Sequence, residues 1–474
     1  KNQVDLIRSN NTKDSIAHVL NSTLTKEEIE KVKNDVLTKE TKLLFVAPET
    51  LTKSNTIEFL KKITVSFIAI DEAHCISEWG HDFRPEYRKI RDIIDKISSD
   101  IKIMALTATA TPKVQDDVIK NLKIDNSKIF KSSFNRHNLF YEVRAKNEST
   151  DIDLLKFIKL NQNQSGIIYC LSRKNVEELS QLLNMNGVKS LPYHAGLEKK
   201  TREENQDKFL KDECDVIVAT IAFGMGIDKP DIRYVVHYSV PKSIEGYYQE
   251  TGRAGRDGGK GHCLMYYSYK DVEKLEKLLS KKKSSERNIG IMLLKEVSTF
   301  AESSISRRKF LLNYFGEKYD PNINNDLEMD DNSKNIKEKI NVKDKLLFLL
   351  NNHFKNNKKV FVRDIIKDLP IDEKNGIDEK FWRTIITYSI VEGFLEKDIS
   401  DFTSVKISNL GIEFISNPTE FYVSRDNDFS KTKKIENQSI KASVIDNDLF
   451  NKLKILRKEI AKIKSLPPYA IFQE

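Results

Sequence analysis

Phe67-Ile68-Ala69-Ile70-Asp71-Glu72-Ala73-His74 is the stretch on which the fold turns. Four apolar residues run without alternation into two acids. An unbroken apolar run of this length is typical of a parallel strand covered on both faces. Acids at its carboxyl end stand where open α/β sheets bind ligands. Outward from this point the same pattern recurs at residues 43–46, 101–106, 166–170, 216–219 and 234–236, separated by segments of helical period. The alternation, which lasts to about residue 270, predicts a doubly wound α/β architecture. A change near Phe134-Asn135-Arg136 divides it into two halves.

The chain has 474 residues, enough for three or four domains at roughly 100–200 residues each. With 39% apolar and 32% charged residues it can bury ordinary cores under a well-solvated surface. No apolar run reaches the length of a bilayer crossing, and no signal peptide opens the chain, so no membrane partner is expected. The net charge of +8 is mild for this length and does not by itself prove a nucleic-acid partner. Cys75, Cys170, Cys214 and Cys263 lack metal-ligand spacing and read as buried thiols of a reducing, cytoplasmic compartment.

After residue 270 the pattern turns helical. Residues 322–335 read as a polar, acidic loop. Helical stretches return from Val342 and end in short strand-like pieces such as Val405-Lys406-Ile407, which suits a winged-helix module. A polar linker follows, and then a helix with Leu449, Leu453, Leu456 and Ile460 on one face. The expected divisions are 1–134 and 135–270 for two α/β lobes, 271–335 for a helical subdomain and 336–425 for the winged helix. Residues 426–445 are the expected linker, and 446–474 open a further helical domain.

Several loops carry chemistry. Asp71 is placed to hold Mg2+ and Glu72 to orient or deprotonate a water, although two such acids can also simply open a solvated loop. Thr107 and Thr109, after the next apolar run, offer hydroxyls to a nucleotide site; alone they also read as a strand end with a helix cap. Tyr247-Tyr248-Gln249-Glu250-Thr251-Gly252-Arg253-Ala254-Gly255-Arg256-Asp257-Gly258 is the strongest signal. Its arginines, three apart, are expected on one face of a helical turn. An arginine presented across a cleft stabilises charge on a transferring phosphoryl group. Gly226 and Asp228 follow another strand and are candidates to line the nucleotide site. The candidate catalytic set is Asp71, Glu72, His74, Gln249, Arg253 and Arg256.

In this order the segments resemble superfamily-2 helicases, which have two RecA-like lobes. Cys75-Ile76-Ser77-Glu78-Trp79-Gly80-His81-Asp82-Phe83-Arg84-Pro85 resembles the aromatic-rich loop of the RecQ family of DNA helicases, with Glu78 where the family usually has Gln. Ala47-Pro48-Glu49, Tyr193-His194-Ala195-Gly196-Leu197 and Tyr314-Phe315-Gly316-Glu317 are also similar. The resemblance implies two RecA-like doubly wound parallel-sheet lobes, the first incomplete, then a helical subdomain and a winged-helix domain. It implies an ATP-dependent 3′→5′ DNA helicase of recombination and repair, with ATP and Mg2+ as cofactors and single-stranded and forked DNA as partners. ATP would lie between the lobes, with Asp71 and Glu72 on one side and Arg253 and Arg256 on the other. Trp79, His81, Phe83 and Arg84 would sense single-stranded DNA, by aromatic stacking and by contacts of the guanidinium. A DNA-binding module without motor activity and an RNA helicase of the same superfamily are the alternatives.

Two departures stand out. The Gly-Lys-Ser/Thr loop with which such helicases cradle phosphates is absent, so the chain is expected to be a fragment cut at both ends and inactive alone. Family members often carry four zinc-binding cysteines after the second lobe; here Ser306, Leu327, Asp330 and Ser333 occupy the pattern, and no zinc is expected. The subdomain would instead rely on packing through Phe310, Leu311, Tyr314 and Phe315.

Overall fold

Strand pairing separates the two α/β halves. The computed structural model describes residues 2–9, 11, 13–21, 24–80, 82–224, 227–320, 328–335, 337–354, 358–398, 401–430, 447–464, 468 and 471. It divides into two compact units, Lys1–Ser132 and Ser133–Glu474.

In the first unit β1 (Ala17–Leu20) pairs in parallel with β2 (Leu43–Val46), and β3 (Phe67–Ile70) with β4 (Lys102–Ala105). Helices form where the sequence caps them. Thr25 and Glu28 make a reciprocal capping box for the helix Lys26–Leu37, and Thr111 with Pro112 starts Pro112–Leu122. The expectation that these strands are covered on both faces does not hold here. In the β3–β4 ladder Ile68, Ile70, Ile103 and Ala105 face the core, whereas Phe67, Ala69 and Met104 are exposed. The reason is the two-stranded ladder: side chains alternate with period two, and among the described residues helices cover only one face.

The second unit meets the expectation. β5 (Leu139–Ala145), β6 (Ser165–Tyr169), β7 (Ser190–Tyr193), β8 (Val216–Ala219), β9 (Ile232–His237) and β10 (Gly261–Tyr267) form one parallel sheet in the order β5-β10-β9-β6-β8-β7. Ile167, Ile217 and Val235 enter one core, while Ile168, Val218 and Val236 enter another on the opposite face. Gly166 is required by close approach, since a Cβ there would lie 1.9 Å from the Tyr234 ring. The chain passes from β8 to β9 across β6, so strand order reverses there and opens a crevice at the carboxyl ends.

The helices Ser284–Glu302 and Arg307–Tyr314 extend the first of those cores with Leu294, Val297, Phe300, Phe310, Leu311 and Phe315, and Tyr314 packs against it. The winged module has its own core around Trp382. It comprises the helices Lys343–His353, Val362–Lys367 and Glu379–Val391 and the antiparallel strands Val360–Phe361, Leu395–Asp398 and Asp401–Ile407. Asp426 and Asn427, the first residues of the expected linker, are pinned. Asp426 accepts from Thr384 at 2.7 Å, and Asn427 donates to the Ser303 carbonyl at 3.0 Å. Residues 431–446 of that linker and its flank lie outside the described residues. The helix Asn447–Lys464 follows.

Candidate ATP and DNA site

β3 delivers Asp71 and Glu72 at its carboxyl end. Leu106 N donates to the Ile70 carbonyl and Ala73 N to the Leu106 carbonyl, both at 2.9 Å, so the acidic turn and the threonine turn lie side by side. Asp71 is exposed and its Oδ1 accepts from Glu72 N at 2.9 Å. Glu72 has φ +50°, a left-handed conformation that costs a non-glycine residue about 1 kcal/mol or more. His74 is 2% exposed. Its Nδ1 lies 2.9 Å from Thr107 Oγ1 and 3.3 Å from Glu72 Oε2. Thr107 is exposed; Thr109 is buried, and its hydroxyl has no partner among the described residues. Asp71 and Glu72 supply the hard oxygens Mg2+ takes, and Mg2+ held with nucleotide phosphates needs only one or two protein carboxylates.

The aromatic loop is fastened to the helix Pro112–Leu122. Ser77 Oγ donates to Asp117 at 2.7 Å, and Lys113 sits over the Trp79 ring. Gly80 lets the loop pass close to the His74 carbonyl, where a Cβ would come within 2.5 Å. The aromatic loop is packed and paired on the protein. Trp79 packs half-buried on the core of its unit, Arg88 lies 5.4 Å from the Phe83 ring, and Arg84 donates to Asp82 at 2.6 Å. Glu78 pairs with Arg88 at 3.0 Å. His81 lies outside the described residues. Lys113 went unnoticed in sequence because one lysine in the first turn of a helix looks like any solvated surface charge.

In the second unit Gln249 is half-buried on the helix Ile244–Thr251. That helix stops before the arginines, so they do not share a helical face; they lie in the turns after Gly252. They nevertheless converge on one loop. Arg253 is buried, with its guanidinium against Gly224, where a Cβ would lie 3.2 Å from Nη2. Arg256 is exposed; its Nη1 donates to the Ile227 carbonyl at 3.1 Å and lies 3.6 Å from Asp228 Oδ1. Partial burial and the charge of Arg253 pull the Arg256 pKa down, a sign of two cations held close. Gly226 lies outside the described residues. The turn is stapled from β5's approach: Arg136 donates to the carbonyls of Gly252, Ala254 and Gly255 at 3.1–3.2 Å, and Asn138 to those of Gly255 and Gly259 at 2.8 and 2.6 Å. Gly255, at φ +55°, takes the left-handed conformation this turn needs. Sequence reading used Arg136 only as a boundary marker and passed over its positioning role.

Ser306, Asp330 and Ser333 come together, as the zinc pattern requires. Ser306 Oγ and Ser333 Oγ both donate to Asp330 Oδ2, at 2.6 and 2.9 Å. Ligands about 2.0–2.2 Å from a tetrahedral zinc would stand roughly 3.3–3.6 Å from one another. Oxygens this close are hydrogen-bonded instead, and none is a thiolate. Ser306, Asp330 and Ser333 do not fit zinc, and Leu327 lies outside the described residues.

Comparison with known proteins agrees with the geometry. A family model described as DEAD/DEAH box helicase matches residues 4–118, the helicase conserved C-terminal domain matches 150–258, and one described as RecQ zinc-binding matches 269–326. The last match stands against the expectation of no zinc, although it ends before Asp330 and Ser333. The acidic turn thus falls within the first helicase match and the arginine loop within the second, which makes the chain a helicase. The chain is 36% identical to the ATP-dependent DNA helicase RecQ of Haemophilus influenzae over 100% of its length and 78% of that protein. It is 35% identical to the ATP-dependent DNA helicase RecQ of Bacillus subtilis over 91% of the chain and 74% of that protein. It is 46% identical to the RecQ-like DNA helicase BLM of Xenopus laevis over 60% of the chain but only 22% of that longer protein. The chain belongs to the RecQ family of ATP-dependent DNA helicases, enzymes that use ATP with Mg2+ and act on DNA. No described helix is long and apolar enough to cross a membrane.

Proposed function

We propose that this helicase moves 3′→5′ on single-stranded DNA and opens forked duplexes in recombination and repair, working in the cytoplasm. The lobes in this reading are residues 1–134 and 135–270, and the helical subdomain 271–335 leads to a winged helix, 336–425, that engages duplex at the fork. Asp71 holds Mg2+, Glu72 orients the attacking water, and Arg253 and Arg256 offset charge on the transferring phosphoryl group. Gln249 and His74 position these groups, and Thr107, Thr109, Gly226 and Asp228 line the nucleotide site. Trp79, His81, Phe83 and Arg84 meet the DNA strand, mainly without reading sequence. The buried thiols of Cys75, Cys170, Cys214 and Cys263, all pushed up to about 12 by burial, fit a reducing compartment. Mg2+ is the metal of this reading, and zinc is not part of it.

One observation carries the proposal: the aromatic loop, the threonine turn and the acidic turn are joined. Ser77 and Trp79 hold the helix that starts five residues after Thr107, and His74 touches Thr107 itself. A strand that moves Trp79 therefore acts on groups beside Glu72. The test is ATP hydrolysis by the protein expressed from its full gene, with and without single-stranded DNA, beside strand separation on a forked duplex. DNA is expected to stimulate hydrolysis, and Trp79→Ala to abolish the stimulation while leaving the basal rate. Hydrolysis indifferent to DNA would leave only a binding module, and stimulation by RNA alone would make this an RNA helicase.

A further inference from the structure

We infer that Asp330 takes the structural place of a metal ion, as the anionic hub of a metal-free subdomain. Where zinc gathers thiolates around a cation, this chain gathers hydrogen-bond donors around a carboxylate. Asp330 is 1% exposed and accepts the hydroxyls of Ser306 and Ser333 at 2.6 and 2.9 Å, together with the backbone N–H of Ser333 at 2.8 Å. Ser306 in turn caps the helix Arg307–Tyr314, accepting from Lys309 N at 3.4 Å. The carboxylate therefore ties the start of that helix to the short helix Asp331–Lys334, across 24 residues of sequence.

The residues on either side make the same junction. Asp331 receives the buried Arg307 guanidinium in a two-pronged pair, at 2.9 and 3.2 Å, and also accepts from Val143 N on β5 at 3.0 Å. Asn332 donates to the carbonyls of Ser303 and Ile305, both at 2.7 Å. Met329 accepts from Tyr141 N at 3.4 Å, and Asp330 bridges Tyr141. Five consecutive residues thus bind the subdomain to itself and to the lobe-two sheet. A buried carboxylate is tolerated because each of these acceptor positions is filled by a donor. Among the described residues no group of three or more His, Cys, Asp or Glu is placed to hold a metal.

The purified chain, dialysed against zinc and then washed, is assayed for metal content, and its thermal unfolding is followed with and without a strong chelator. Substoichiometric zinc and superimposable curves are expected; one zinc per chain, or a chelator-induced loss of stability, would overturn the inference. Asp330→Ala is expected to lower the unfolding midpoint by about 5 °C and to speed amide exchange at 307–314 and 139–143. Ser306→Ala/Ser333→Ala, which keeps the backbone donor to Asp330, is expected to lower it less. If neither variant changes exchange in those segments, Asp330 is not the hub.

Discussion

The imidazole Nδ1 of His74 and the hydroxyl of Thr107 meet at 2.9 Å, and the same nitrogen lies 3.3 Å from the Glu72 carboxylate. A buried ring thus joins the turn that would activate water to the turn that leads, through Thr111, into the helix under Trp79. Thr107→Val removes the hydroxyl with little change in shape. The expected result is a fall of about tenfold in strand separation, the worth of one hydrogen bond, with DNA-stimulated hydrolysis changed much less. The measurement is ATP consumed per base pair opened. An equal fall in both quantities would put Thr107 in the hydrolytic step itself.

Lys113 over the Trp79 ring is a cation–π contact worth about 0.5–2 kcal/mol. It keeps the ring against the protein, so bases must displace the ammonium to stack. The chain has two tryptophans, and the other, Trp382, is buried with its Nε1 donating to the Pro370 carbonyl at 2.8 Å. Single-stranded DNA is therefore expected to change tryptophan emission through Trp79 alone. Lys113→Ala should shift the emission before DNA is added, and Trp79→Phe should abolish the DNA response. A DNA response that survives Trp79→Phe would contradict this account.

What could be read in advance follows from how local each signal is. The second lobe was legible because Ile167, Ile168, Val235 and Val236 are all buried, and a doubly covered strand writes that fact directly as an unbroken apolar run. The same kind of run misled for Phe67 and Met104, since composition marks apolar residues but not whether a layer covers them. The arginine pair was legible as chemistry but not as geometry. The spacing of Arg253 and Arg256 fits a helix, yet the helix ends at Thr251, and the turn that follows is held by Arg136 and Asn138, more than a hundred residues away in sequence. Asp330 showed the same limit: the cysteine pattern already grouped it with Ser306 and Ser333, whereas the donation of both hydroxyls to its carboxylate was defined only by folding.

Arg253 and Arg256 are expected to fail differently. Arg256 is exposed, so Arg256→Ala should leave thermal stability nearly unchanged while lowering kcat about 10³-fold or more, the range for an arginine that offsets phosphoryl charge. Arg253 is buried against Gly224, so Arg253→Ala should lower both kcat and the unfolding midpoint. Steady-state hydrolysis and a thermal scan of each variant check this, and an Arg256→Ala protein with unaltered kcat would remove that residue from the site.

Glu142 sets an acid limit on the second unit. Burial pushes its pKa up, but hydrogen bonds from His262 at 2.8 Å and Arg144 at 2.7 Å outweigh this and hold it at about 2, below the usual 4.5. A depressed carboxylate gives stability that is full above the unfolded value and is lost as pH falls through the folded one. The window is therefore from about 4.5 down to about 2, and the shift corresponds to about 3 kcal/mol. Glu142→Gln should flatten unfolding free energy against pH in that window and lower stability at neutral pH. Parallel curves for the two proteins would show that Glu142 does not govern the acid limb.

A buried charge group ties the helix Asn447–Lys464 to the second lobe. Arg457, on the helix Asn447–Lys464, reaches Asp212 at 2.8 Å and Asp231 at 3.2 Å, while Lys229 reaches the same two carboxylates at 2.7 and 2.8 Å. All four side chains are buried, and two cations balance two anions. Asp212 and Asp231 precede β8 and β9, so the helix docks at the amino ends of these strands, away from the carboxyl ends that lead to Asp228 and Gln249. Removing one partner of a buried pair strands the other and typically costs about 3–5 kcal/mol. Here the helix can leave and let water reach the carboxylates, so the loss is capped by the docking energy of the helix. Arg457→Ala is thus expected to release residues 450–461 to rapid amide exchange while β8 and β9 stay protected. Because the group is dry, added salt should not reproduce the effect in the unaltered protein. Retained protection at 450–461 in the variant would mean that apolar contacts, and not Arg457, hold the helix.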